Sequence, residues 1–207
     1  MTGTLSGTPG DHPELDDPPA DPVALLRSWV VAAVTADIPD ALAASLATVG
    51  PDGAPSVRFV ALKEVTATGV VFGTSADSPK GLDIRRDPRV AIAVYWRETM
   101  QQVRLTGRAT PLDDDASDRI FHARARDAQA ATIVSRQSEP LAAEPDLEQA
   151  ALELERSGAA LTRPADWRAW LVTPSTLEFW VGSTSRLHRR LAYTRSGEGW
   201  TARRLQP

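Results

Sequence analysis

Cysteine is missing altogether from this 207-residue chain, which excludes disulfides and thiolate metal sites. Histidine is scarce: three scattered residues do not make a zinc-site spacing. Long apolar runs are lacking, since none reaches the ~20 residues that span a bilayer, and the first residues do not read as a secretory signal. An excess of positive charge is lacking as well. The net charge is −4, which leaves no electrostatic footprint for a nucleic acid. These absences point to a soluble cytoplasmic protein with neither a nucleic-acid nor a membrane partner. Lysine is nearly absent: of 23 basic residues only Lys63 and Lys80 are lysines. A compact ammonium and a planar guanidinium are not interchangeable at a tight site. Two lysines in a chain that otherwise uses arginine therefore mark themselves out as candidates.

What is present reads as one domain. Hydrophobic residues make up 42% and charged residues 24%, ordinary globular values for a chain long enough to bury a core. Residues 1–21 are rich in Gly, Pro, Asp and Thr without periodicity, and read as a mobile arm. Residues 22–207 form the folded domain. Asp21-Pro22 supplies an N-cap and a first-turn proline, and Leu25, Leu26, Trp29, Val30 and Ala33 form a helical stripe. From Ala44 the period changes to two. Strands are expected at 44–49, 55–65, 70–75, 90–96, 102–109, 169–173, 177–180, 187–195 and 200–205, with turns at Gly50–Gly53, Thr68-Gly69 and Gly197–Gly199. Helices are expected at 82–86, 112–134 and 145–157. The fold class is mainly β with peripheral helices, the antiparallel strands closing into a barrel.

Two motifs carry chemistry. Ser78-Pro79-Lys80-Gly81 opens a short helix, where a serine, a lysine and free backbone N–H groups suit an anion; a plain helix cap is the alternative. The stretch Glu178–Arg190 holds Phe179 and Trp180, a small-residue turn, and then Arg186, His188 and Arg190 at every second position. On an extended strand these three share a face and suit an anionic aromatic ligand; a solvated basic strand edge is the alternative. Arg58 and Lys63 have opposite parity on one strand, so sharing a site requires a bulge or action from the strand end.

Taken together, Arg58…Lys63, Thr74, Ser78-x-Lys80, Gln102, Arg136-Gln137-Ser138, Glu178-Phe179-Trp180, Arg186-x-His188-x-Arg190 and Arg203-Arg204-Leu205 resemble the pyridoxamine 5′-phosphate oxidase family over residues 22–207. Within it the chain is most similar to the FMN-dependent oxidases of phenazine biosynthesis. That closer likeness lies in Thr2-Gly3-Thr4-Leu5, Pro19–Pro22, Tyr95–Gln102 and Ser135–Glu139. The resemblance implies an FMN-binding split β-barrel that works as a homodimer. Arg58, Ser78 and Lys80 would hold the FMN phosphate, with Gly73 and Thr74 also at the cofactor and Pro79 standing where the family often has a second cation. Val60 and Lys63 would face the ring, Gln137 and Ser138 would line the cofactor, and Gln102, Trp180 and Arg190 would come from the second subunit. Arg186 and His188 would be the catalytic pair, with Lys63 and Arg124 also touching substrate. The implied reaction takes hydride from a reduced phenazine carboxylate, with dioxygen reoxidising FMN to give hydrogen peroxide. A vitamin B6 oxidase making pyridoxal 5′-phosphate and a non-catalytic flavin-binding module remain open alternatives. Against the B6 alternative, Ile120 and Ala128 stand where those oxidases have a tyrosine and a serine on the substrate phosphate, and are expected to make the pocket flatter and more apolar.

Overall fold

The protein is described here by a computed structural model of residues 6–207; Thr2–Leu5 of the phenazine-oxidase likeness lie outside the described residues. The first helix, α1 (Pro22–Thr35), begins as the dipeptide dictates. The Asp21 carboxylate accepts from Val23 N at 2.9 Å and Ala24 N at 3.2 Å, with Pro22 in the first turn. Its stripe of Val23, Leu26, Trp29 and Val30 is buried, and Trp29 meets Phe179 edge-on at 5.1 Å.

Eight antiparallel strands follow: β1 (Ala43–Val49), β2 (Pro55–Val65), β3 (Val70–Ser75), β4 (Arg89–Trp96), β5 (Gln101–Pro111), β6 (Trp167–Val181), β7 (Arg189–Ser196) and β8 (Gly199–Leu205). Their order is β3-β2-β1-β4-β5-β6-β7-β8, and a further β3–β6 pairing closes the first six into a barrel. The closure gives β3, the first strand of the order, a partner on each side. Alternation places Leu46, Ile92, Val94, Val103, Leu105 and Phe179 in the barrel core. Sequence suggested two strands where β6 is one. Pro174 and Ser175 do not break it, because the register shift at Thr106/Gly107 absorbs them. Gly107 allows the close approach: a Cβ there would lie 2.3 Å from Thr173 O. β6 also changes neighbour at this point. Val172 and the residues before it pair with β3, while Thr176 and those after it pair with β7.

Among the described residues five α-helices dress the barrel. Besides α1 they are α2 (Pro79–Arg86), α3 (Asp114–His122), α4 (Arg126–Val134) and α5 (Glu144–Arg156). The single helix expected over 112–134 is broken at 123–125. Gln129 Nε2 staples the break by donating to Arg124 O at 2.8 Å and His122 O at 3.3 Å. A second, smaller core of Val71, Ile120, Phe121, Trp167 and Ala169 sits between α3 and the β3–β6 pair. Among the described residues no helix is long and apolar enough to cross a membrane.

The start of the chain differs from the mobile arm read from composition. Leu15 is fully buried, and residues 12–19 are tied to β7 and β8. Arg204 Nη1 donates to Leu15 O and to Asp16 Oδ1, both at 2.7 Å. Arg189 Nη2 reaches Asp16 Oδ2 at 2.6 Å, and Tyr193 Oη donates to Pro19 O at 3.0 Å. Trp29 Nε1 donates to Glu14 at 2.7 Å. One leucine and a few acidic side chains anchor a segment whose proline and glycine content alone suggests disorder. Leu15→Ala should therefore cost about 2–5 kcal/mol and expose residues before Asp21 to protease while the barrel stays intact. Unchanged melting temperature and unchanged proteolysis would show that the segment is not anchored by this side chain.

Candidate active site

A cleft of about 810 Å³ opens between β2, β3, the α4 end and the loop leading into β6. Its wall includes Val60, Lys63, Gly73, Thr74, Lys80, Arg124 and Gln137, seven of the expected site residues. Both lysines of the chain are among them. The β2–β3 register shifts between Leu62 and Glu64, a bulge at Lys63, but the two cations still part: Lys63 lines the cleft with Phe59 and Ala61, and Arg58 does not. Burial, and then the nearby Arg124, lower the Lys63 pKa from its ordinary value.

The floor of the cleft is a polar cluster at the start of α2. Ser78 caps the helix, accepting from Gly81 N at 3.4 Å. Gly81 lets α2 press against the end of β3, since a Cβ would lie 2.5 Å from Ser75 O. Pro79 occupies the first turn, where its missing N–H costs nothing. Lys80, 7% exposed, points its ammonium at Gln137 Oε1 (2.9 Å), Thr74 Oγ1 (3.1 Å) and Ser78 Oγ (3.3 Å). Thr74 also donates to Gln137 Oε1 at 3.1 Å. The cap reading of Ser78 is the one its hydrogen bonds show, and its hydroxyl proton goes to Ser75 O at 2.7 Å. Arg58 stands one shell back: its Nη1 donates to Thr48 Oγ1 at 2.8 Å and Leu46 O at 3.2 Å, and Asp83 lies 3.9 Å away. Neither Arg58 nor Ser78 forms part of the cleft wall itself.

The other expected residues gather elsewhere. Gln102, Trp180 and Arg190 are direct register partners across β5, β6 and β7, and none lines the cleft. Trp167 of the cleft wall and Trp180 of this row sit at opposite ends of β6, thirteen positions or roughly 40 Å apart along an extended strand. Glu178, 6% exposed, braces the row: it accepts from Arg190 Nε at 2.8 Å and from Arg104 Nη2 at 2.6 Å. Burial would raise its pKa, but the hydrogen bonds from Arg190 and Arg104 prevail and hold it below the usual carboxylate value.

The expected strand face of Arg186, His188 and Arg190 is not formed, because β7 begins only at Arg189. Arg186 takes a left-handed turn conformation (φ 67°), and its N–H donates to Ser183 O at 3.0 Å. The small residues Ser183–Ser185 fold as a turn, so the alternate spacing of the three side chains is not a strand period. His188 packs on Trp180 at 4.8 Å. Its Nδ1 accepts from Ser183 N at 3.1 Å, which leaves the proton of neutral His188 on Nε2 as a donor. Ser138, also outside the cleft wall, has φ 73°.

Ile120 and Ala128, expected to shape the pocket, do not line it either. Ile120 faces the smaller core, and Ala128 contributes its carbonyl oxygen, which accepts from Arg124 Nη2 at 2.8 Å. Trp167, Asp166, Thr132 and Ile133 form wall that the sequence reading did not single out. The last two lie on α4, beyond the break that separates it from α3.

One ammonium, two hydroxyls and a helix start meet around Lys80, a set of groups with the chemistry to take a dianion such as a phosphate monoester. Burial, assisted by Arg58, pushes the Lys80 pKa down to about 8 from 10.5. Between pH 8 and 10.5 the unfolded chain holds this proton and the folded chain does not, so stability of the unliganded protein rises with pH across that window. Affinity for a dianion, which needs the ammonium, moves the opposite way. Inorganic phosphate titrated by calorimetry should weaken above pH 8 by up to about tenfold per unit, and Lys80→Ala should bind weakly with no such slope. A flat phosphate affinity from pH 7 to 10 in the unsubstituted protein would remove Lys80 from the receptor.

A family model described as pyridoxamine 5′-phosphate oxidase matches residues 30–160. A second, the pyridoxine 5′-phosphate oxidase C-terminal dimerisation region, matches 167–207. Dihydrophenazinedicarboxylate synthase of Pseudomonas chlororaphis is 40% identical over 207 residues, covering 100% of this chain and 92% of its own length. Pyridoxine/pyridoxamine 5′-phosphate oxidase of Anaeromyxobacter dehalogenans is 41% identical over 189 residues, covering 90% of this chain and 96% of its own. Among solved structures, PhzG from Burkholderia lata in complex with tetrahydrophenazine-1-carboxylic acid superposes with a TM-score of 0.92 at 36% identity, covering 98% of this chain and 100% of that one. With a six-strand barrel extended by β7 and β8, and a dimerisation region that begins where β6 begins, the chain belongs to the pyridoxamine 5′-phosphate oxidase family of oxidoreductases.

Proposed function

We propose that the protein is an FMN-dependent oxidase that takes hydride from a reduced phenazine carboxylate and works as a homodimer with two shared sites. The observation that carries this reading is the cleft itself: a dianion receptor at Lys80 and, on the same wall, a second cationic pair, Lys63 and Arg124. Two separate anion points on one cleft suit a phosphate-bearing cofactor and an acidic substrate together. FMN, when bound, accepts the hydride and is reoxidised by dioxygen, giving hydrogen peroxide.

The chain's own residues would do the following. Lys80, Ser78, Thr74 and Gln137 hold the phosphate, with Arg58 reinforcing the field and Gly73 and Ser138 close to the cofactor. Val60 and Lys63 flank the flavin ring. Gln102, Trp180 and Arg190 reach it from the partner subunit, a role supported by the strand length that separates them from the cleft of their own chain. Arg186 clamps the substrate anion, and His188 donates a hydrogen bond from Nε2. Lys63 and Arg124 meet the substrate's carboxylate, with Arg124 presenting a planar donor set.

The relatives include both phenazine and B6 enzymes at similar identity, and the 41% identity to the Anaeromyxobacter enzyme supports pyridoxine 5′-phosphate oxidation as a second reading. Ile120 and Ala128 bring no hydroxyl to a substrate phosphate. Two missing charge-assisted donors should lower kcat/KM for pyridoxine 5′-phosphate by at least about a hundredfold relative to a carboxylate substrate that does not need them. Peroxide formation in air, measured with a reduced phenazine carboxylate and with pyridoxine 5′-phosphate at matched concentrations, decides. Turnover of the phenazine should dominate; efficient turnover of pyridoxine 5′-phosphate alone would reverse the assignment.

A further inference from the structure

We infer that Thr132 is a positioning residue which locks the Arg124 guanidinium into a fixed receptor for the substrate's anionic group. The inference rests on the reading of the cleft as a substrate site, and it assigns to Thr132 a part in specificity that the family likeness does not supply.

The geometry is a closed ring. Arg124 Nη1 donates to Thr132 Oγ1 at 2.8 Å, and Arg124 Nη2 donates to Ala128 O at 2.8 Å. The Thr132 hydroxyl proton goes to that same carbonyl at 2.9 Å. A hydroxyl has one proton, so its orientation is settled: the proton points back along α4 and the lone pairs face the guanidinium. These two bonds use two of the five guanidinium N–H groups and fix its edge. Its centre is held separately, since Cζ lies 5.6 Å from the Phe121 ring centroid and 5.5 Å from that of Trp167. Two fixed N–H directions and a held centre define the plane, and bidentate recognition of a carboxylate requires a defined plane.

The ring also answers an electrostatic problem. Lys63 and Arg124 share one cleft wall, and Arg124 is close enough to lower the Lys63 pKa. Two cations without an anion between them repel, and a guanidinium on a free side chain would swing toward solvent. Arg124 sits in the break between α3 and α4, where Gln129 Nε2 holds its carbonyl and Ala128 O accepts from Nη2; the Thr132 hydroxyl, one turn beyond Ala128, supplies the second side-chain tether. Thr132 itself is half-buried on the cleft wall, so a change there tests the tether with little disturbance of the core.

The experiment compares Thr132→Val, which keeps the shape, with Thr132→Ser, which keeps the hydroxyl. The probes are phenazine-1-carboxylate and unsubstituted phenazine, titrated by calorimetry into the purified protein. Thr132→Val should weaken the carboxylate about three- to tenfold and leave the parent phenazine unchanged; Thr132→Ser should stay within about twofold of the unsubstituted protein. In turnover, KM should rise with Thr132→Val while kcat stays within about twofold. Equal weakening of both phenazines would reduce the effect to shape and overturn the inference. So would a Thr132→Ser variant as poor as Thr132→Val, or no change in either. If the unsubstituted protein binds neither phenazine and oxidises pyridoxine 5′-phosphate instead, the functional reading fails on its own. The same variants are then titrated with pyridoxine 5′-phosphate and pyridoxine. A selective, serine-rescued loss for the phosphate ester upholds the tether, and its absence overturns it.

Discussion

The structure depends on one strand satisfying two sets of neighbours. The backbone of β6 must find hydrogen-bond partners along both edges for fifteen residues. One edge is taken by β5 from Trp170 to Val181. The other is shared, with β3 closing the barrel over the first half and β7 carrying the extension over the second. Pro174, which has no N–H to offer, lies between those two pairings, where Gly107 lets the chains approach. Everything chemical follows from this division. The first half of β6 sets Trp167 against Gly73 and so builds the cleft wall. The second half aligns Gln102, Trp180 and Arg190 in a row braced by Glu178.

The electrostatics of the cleft explain the unusual use of lysine. A chain with 23 basic residues and only two lysines places both on one wall, and burial lowers the pKa of each. Lys80 reaches three acceptors from a nearly closed position, which a compact ammonium does and a planar fork does not. Arg124, by contrast, sets its Cζ 5.6 and 5.5 Å from two ring centroids and donates from both Nη atoms, which a planar fork does and a compact ammonium does not. Each cation type sits where its shape is needed.

The barrel was legible because its strands alternate strictly between core and surface, as in β1 and β5. β6 read as two strands because proline is a breaker in isolation, and its tolerance depends on a partner change that no local pattern records. The short helix that Ser78 caps was legible from its cap chemistry, whereas the parity of Arg58 and Lys63 holds them apart, since only Lys63 lines the cleft. The row Arg186, His188, Arg190 misled, since a period of two over five residues also arises from a turn followed by a strand start. Leu15 was overlooked because one buried side chain outweighs the disorder-like composition around it. Thr132 was invisible: a threonine on a helix acquires a role only once the α3–α4 break has placed a guanidinium beside it.

The central claim is that the cleft of one chain is completed by the Gln102–Trp180–Arg190 row of another. The most direct measurement takes two variants, Lys80→Ala and Arg190→Ala, each expected to bind FMN poorly as a homodimer, and counts flavin in the purified heterodimer. If the site is shared, one of the two sites in the heterodimer contains both intact residues, and flavin is recovered at about half occupancy. A verified heterodimer that binds no more flavin than either parent would show that each site is built within a single chain.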